Sequence, residues 1–279
     1  MGVRIVTDSS SDIPKDVAEQ LGITIVPLYI HFGKDVYREG VDITSTQFYK
    51  RLQAEVPNLP KTSAPSPGDF MKVYQPLLDE GHEIISVHLS AAFSGTYNSA
   101  RLAAFGVGRD RVTVIDSRNV SMCLGWLAIE AAKAARRGKS RQEIIEMISD
   151  MIPRLRISSF LETLEFVKYS GRVSSTEAFL GTMLNIKPVL HIEGGKAIPL
   201  AKVRTREQAL KTLADMAHEL APFQSLAIMH TRAPNVAEQL AERLGTFHPR
   251  HRIVIAEAGV AMASHVGPGA VGFCGVVAK

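Results

Sequence analysis

Apart from Arg4, residues 3–7 are β-branched and mostly apolar, and they break into Asp8-Ser9-Ser10-Ser11-Asp12. That is the pattern of a buried strand ending in a polar loop. Pro14 stands where a helix would begin and Gly22 where it would end. Residues 23–32 give a second strand-like run, and residues 46–53 a short helix. The stretch 57–67 holds Pro57, Pro60, Pro65 and Pro67, which excludes helix and central strand and predicts a stiffened loop. Pro67 and Gly68 open a helix through Leu78. Residues 83–89 and 112–116 read as strands. Ser94 is expected to start a helix through Phe105, and residues 120–137 form a long one. Ser140, with Glu143 at the capping-box position, predicts a further helix to about Leu155.

Strands alternating with helices predict a mainly parallel sheet covered on both faces. Ligands in such sheets bind at the carboxyl ends of strands, so the hydroxyl-rich loops after Thr7, Leu89 and Ile115 should share one rim. The second half has another rhythm. Residues 163–169 and 175–184 look helical. Two apolar runs, 186–192 and 197–203, flank Glu193-Gly194-Gly195-Lys196, a strong hairpin signal. Helices from about Glu207 and after Pro234 then alternate with strands at 226–230 and 253–256, and a glycine-punctuated strand at 270–277 follows. The fold class is thus two α/β domains, 1–157 and 158–279, the first with a mainly parallel sheet and the second mixed or antiparallel.

Composition adds exclusions. A chain of 279 residues suits about two domains and can bury a core without staples. Aromatic residues are sparse and Trp126 is the single tryptophan, which argues against a base-stacking platform. The net charge of +4 is spread along the chain with no basic arm, so no nucleic acid is expected. Cys123 and Cys274 fit neither a metal spacing nor a CxxC motif and read as buried, reduced thiols. The N-terminal residues enter a strand without a signal-peptide core, and no apolar run is long enough to span a bilayer, so the expected location is the cytoplasm.

Nucleotide loops, a GxSxG elbow, HExxH and EF-hand loops are all missing. His248 and His251 have metal-like spacing, but they lie among Pro249, Arg250 and Arg252 and read as a surface pair. What remains is a set of hydroxyls at loop and helix starts: Thr62 and Ser63 in the proline-rich loop, and Ser90, Ser94, Gly95 and Thr96 between a strand and a helix. A helix start offers free N–H groups to an anion, and Gly95 would let a ligand approach. Taken singly, Ser94 is an ordinary N-cap and Thr62-Ser63 an ordinary turn. Arg172, after a helix end, and His265, before a glycine turn, have equally plain structural explanations.

Taken together, TDSSSD, KTSAPSPGDF, HLSAAFSGTYNSA, VIDSRNVS, a GRVS turn and HVGPGAVG, in that order, resemble the DegV family over about residues 3–278. The resemblance implies a long-chain fatty acid, such as palmitate, stearate or oleate, buried between or beneath the domains. It implies a carrier rather than an enzyme, with no cofactor of its own, that presents the acyl carboxylate to a fatty acid kinase for acyl-phosphate formation in phospholipid metabolism. Thr62 and Ser94 match the family's carboxylate-binding positions, and His265 a histidine near the head group. Ser63, Ser90, Gly95 and Thr96 would add loop contacts, and Arg172 would face the kinase. Ala91-Ala92-Phe93 and Ser170-Gly171 depart from the family's glycine-rich wording, with an expected effect on packing and on which chain fits.

The energetics of this reading are coherent. A tail of about fifteen methylenes at ~0.8 kcal/mol each gains roughly 12 kcal/mol before ordering costs. The head group then needs only orientation, which hydroxyls supply without cancelling its charge. Two other readings stand beside it: a serine hydrolase using Ser94 and His265, and a phospho-ligand binder using the strand-end loops.

Overall fold

The computed structural model describes residues 2–55, 58–172 and 186–279. The first half opens with strand β1 (Val3–Asp8) and helix α1 (Lys15–Leu21), which Gly22 ends in a left-handed turn at φ 69°. The run at 23–32 is two strands rather than one: β2 (Thr24–Val26) and β3 (Tyr29–Phe32). Pro27 lies between them, and without an N–H it cannot continue a ladder. β3 pairs antiparallel with β4 (Asp35–Arg38) and, beyond helix α2 (Ser45–Glu55), with β5 (Lys61–Ser63). The proline-rich stretch is therefore not all loop. Three of its residues form an edge strand, a position that tolerates flanking prolines.

Helix α3 (Pro67–Asp79) begins with a full capping box from Ser66 and Asp69. β6 (Glu83–His88), α4 (Thr96–Val107), β7 (Val112–Asp116), α5 (Met122–Arg136) and α6 (Arg141–Met151) follow. α4 starts at Thr96 with Gly95 as N-cap, so Ser94 stands just outside the helix. α6 stops before Pro153, and Leu155 already opens β8 (Leu155–Phe160), in which the division predicted near Ser158 falls. The second half continues with α7 (Glu165–Ser170), β9 (Lys187–Glu193), β10 (Lys196–Val203), α8 (Arg206–Leu220), β11 (Phe223–His230), α9 (Pro234–Leu244), β12 (Ile253–Glu257), α10 (Val260–Val266) and β13 (Val271–Val277). The hairpin β9–β10 turns on Gly194 and Gly195, both at positive φ, as its sequence requires. The helix expected at 175–184 lies outside the described residues.

β2-β1-β6-β7 form a parallel sheet, and β10-β9-β8-β13-β11-β12 a mixed one in which only β11–β12 run parallel. α3 and α4 cover the outer face of the first sheet, and α8 and α9 that of the second. α5 lies between the two sheets. Eleven of its fifteen residues are buried, because its neighbours include β1 and β6 on one side and β8, β11 and β13 on the other. A helix apolar nearly all round is what such a position demands. One core therefore runs from Ile5 and Val87 through α5 to Ala227 and Val276, across the two halves. The small sheet β4-β3-β5, of which the sequence pattern announced only the β3 run, packs with α2 against α10.

Candidate functional site

At the first sheet, strand order reverses between β1 and β6, the usual place for a ligand crevice. A cavity of about 500 Å³ opens there, bounded by Leu89 and Val120 from the first half, by Ile157, Leu190 and Ile192 from the second sheet, and by α10. Most of its wall is apolar. Thr62, Ser63, Ser94, Gly95, Arg172 and His265 all line it, which brings four of the predicted segments to one space.

The pairing Ile30↔Thr62 fixes β5 against β3 and holds Thr62 in place. Its Oγ1 lies 2.9 Å from Nε2 of His265, on α10. Burial, reinforced by the charge of Arg172, pushes the His265 imidazole down to about 4, so it is neutral near pH 7. A neutral ring carries one N–H, and among the described residues its buried Nδ1 has no partner. An orphaned buried donor is rarer than an orphaned acceptor, which favours the proton on Nε2. His265 then donates to Thr62, and the Thr62 hydroxyl proton is free for a ligand. Ser63 Oγ has its own imidazole, His31 Nε2, at 2.7 Å. Ser94 Oγ lies 2.9 Å from Thr96 Oγ1 and accepts from the Thr96 backbone N–H. The Arg172 guanidinium donates to Ser170 O at 2.5 Å, which ties this exposed side chain to its own turn at the cavity edge.

Ser90 and Thr96 were expected as contacts but do not line the cavity. Ser90 is buried and donates to Gly195 O at 2.8 Å, fastening the loop after β6 to the tip of the β9–β10 hairpin. Thr96 is buried behind Ser94. Ser94 and His265 are not paired as nucleophile and base: the imidazole faces Thr62, and no carboxylate among the described residues orients its far nitrogen.

Several supporting residues escaped sequence reasoning. Ser10 lines the cavity, and both its N–H and its hydroxyl donate to Asp8 Oδ1. Asp8 Oδ2 accepts from His88 Nδ1 at 2.9 Å, and His88 Nε2, Ser86 and Tyr74 extend the chain at 2.7 Å each. Every member is buried and partnered, so the network fixes the crevice floor. α10 is seated by two more carboxylates. Asp12 accepts from Gly259 N at 2.8 Å and Ser121 Oγ at 2.5 Å, and Glu39 accepts from Ala261 N at 2.7 Å and Ser9 Oγ at 2.5 Å. The two N–H groups belong to the N-cap and first turn of α10, where negative charge is favoured. Burial nevertheless raises both acids, Asp12 to about 7. Acids flanking the serines of TDSSSD were the available signal, but a polar loop after a strand has the same wording. Among the described residues no group of His, Cys, Asp and Glu could hold a metal, and no helix is long and apolar enough to cross a membrane.

A family model described as "Uncharacterised protein, DegV family" matches residues 2–277. The chain belongs to the DegV family. A DegV domain-containing protein from Caldanaerobacter subterraneus subsp. tengcongensis is 35% identical to this DegV chain over 273 residues, covering 97% of each. A DegV-family protein from Thermus thermophilus, described by its fatty acid binding, shares the fold with a TM-score of 0.92 at 31% identity, covering 100% of both chains. A DegV lipid-binding protein from Thermotoga maritima gives a TM-score of 0.90 at 29% identity, covering 100% of this chain and 99% of its own. The parallel sheet with a mixed second sheet is thus the DegV fold.

Proposed function

We propose that this chain binds one long-chain fatty acid in the cavity between its sheets and presents the carboxylate to a fatty acid kinase for acyl-phosphate formation. The observation that carries the reading is the cavity itself: an apolar wall with Thr62, Ser94 and His265 gathered on it. Fatty acid or lipid binding by the Thermus and Thermotoga relatives points the same way. The tail supplies affinity at ~0.8 kcal/mol per methylene. Thr62, with its proton released by His265, and Ser94 donate to the carboxylate, and neutral His265 adds no charge to bind it too firmly. Arg172, tied back to Ser170 at the exposed edge, meets the kinase. ATP and metal belong to that partner, and the carrier works in the cytoplasm where ATP is made.

Extraction of the purified protein with organic solvent, followed by mass spectrometry, should recover a fatty acid in about one-to-one ratio. With a fatty acid kinase and ATP, the bound acid should yield acyl phosphate. Folded protein that carries no lipid and binds neither palmitate nor oleate would overturn the carrier reading. Carriage without phosphorylation by any such kinase would overturn the second half alone.

A further inference from the structure

The face of the second sheet that looks toward the first carries two neighbouring cavities. The large one lies over β9 and β8. A small one of about 50 Å³ lies over β13 and β11, with Met229, Ala258 and Cys274 in its lining. Four residues border both: Ile157 and Ser159 of β8, and Met262 and Val266 of α10. Met262 and Val266 are one helical turn apart and stand on the same face of α10. The floor is kept low by Gly272, where a Cβ would come within 2.5 Å of Ser159 Cβ.

Three of the four border residues have little freedom. Ser159 is paired on both sides and Ile157 with β13, and Ile157 and Val266 are β-branched and stiff at χ1. Met262 differs. Its side chain is unbranched with three rotatable bonds, and the residue is only partly buried. We infer that Met262 is a movable partition that sets the longest acyl chain the protein takes, with the small apolar cavity receiving the methyl end. The inference rests on the carrier reading above and adds to it the residue that limits chain length.

The test uses full-length protein stripped of lipid, with dissociation constants measured for palmitate, stearate and arachidate. Met262→Ala opens the partition, and each methylene newly housed tightens binding about fourfold. The preference for arachidate over palmitate should therefore rise about tenfold or more over wild type. Met262→Phe should shift preference toward palmitate, and the volume-conserving Met262→Leu should keep the wild-type ratio. Because the Ala and Phe variants move in opposite directions, a folding failure in one leaves the other decisive. Wild-type ratios in both, with palmitate still bound, would overturn the partition. A wild type that binds no fatty acid would instead overturn the carrier reading, and the partition with it.

Discussion

Replacing Asp12 by asparagine should stabilise the protein, but only at neutral and higher pH. Asp12 is buried beside Glu39 and Asp8, and its carboxyl is raised from 3.8 to about 7. In the unfolded chain it loses its proton near 3.8; in the folded chain it keeps it to about 7. Between those values the folded state holds more protons, so stability falls as pH rises through the window and is level outside it. At about 1.4 kcal/mol per pH unit, the loss attributable to Asp12 reaches roughly 4 kcal/mol by pH 7. Glu39 is also raised by burial, so its contribution has the same sign. Asparagine can still accept from Gly259 N–H, can turn its amide toward Ser121, and tolerates the left-handed φ of 50° at this position. Asp12→Asn should therefore match wild type at pH about 4 and exceed it by up to about 4 kcal/mol at pH about 8. Urea unfolding of both proteins across that range reads this directly. Any bound lipid is removed first, because a bound ligand raises apparent stability. An advantage of the Asp12→Asn variant that does not change with pH, or a loss of stability at pH about 8, would show that Asp12 is a well-solvated anion in the fold.

Thr62→Val removes the hydroxyl between His265 and the head group; with Ser94→Ala it should cost roughly 1.5–3 kcal/mol per lost bond in fatty acid affinity, and far more in phosphoryl transfer by a kinase. Complete loss of lipid from either folded variant, measured by extraction, would make the head group the main anchor. Arg172→Ala should leave the melting temperature and lipid content nearly unchanged while slowing kinase turnover at low salt, since exposed charges act mainly on association. Early melting of that variant would make the residue structural. Gly259→Ala should destabilise by about 1–3 kcal/mol, because its Cβ would come within 2.4 Å of Glu39 Oε1; calorimetry of the stripped protein checks it.

Much of the fold was legible because strand runs and capping signals are local. The Gly194-Gly195 hairpin and the Ser140 capping box stand where the pattern put them. The small sheet was not legible. β4 and β5 are four and three residues long with half-exposed side chains, and they carry no period to read. α10 was hidden for a related reason: seven residues between glycines look like a turn until its N-terminal N–H groups meet Asp12 and Glu39, more than two hundred positions away. At the site, the motifs with a family wording reached the cavity through Thr62, Ser94, Gly95 and His265. Ser90 did not, because its hydroxyl is spent on Gly195, a contact between halves that no local rule foretells. His31 and the Asp8–His88 chain escaped because their partners are fixed by sheet order and register alone, and Ser10 because its local bonds to Asp8 read as an ordinary polar turn.

The separation of the gripping residues also sets an order of events in time. Thr62 meets His265 across 203 positions, and Asp12 meets Gly259 across 247. Contacts that distant close late, since the chain between them must be ordered first. A chain emerging from the ribosome can complete the parallel sheet, with Ser10 and Ser94 in place, long before α10 has been made. Until that helix seats on Asp12 and Glu39, the cavity lacks a wall, and Thr62 has no imidazole to turn its proton toward a guest. A bound lipid would then mark a molecule whose synthesis and folding are both finished.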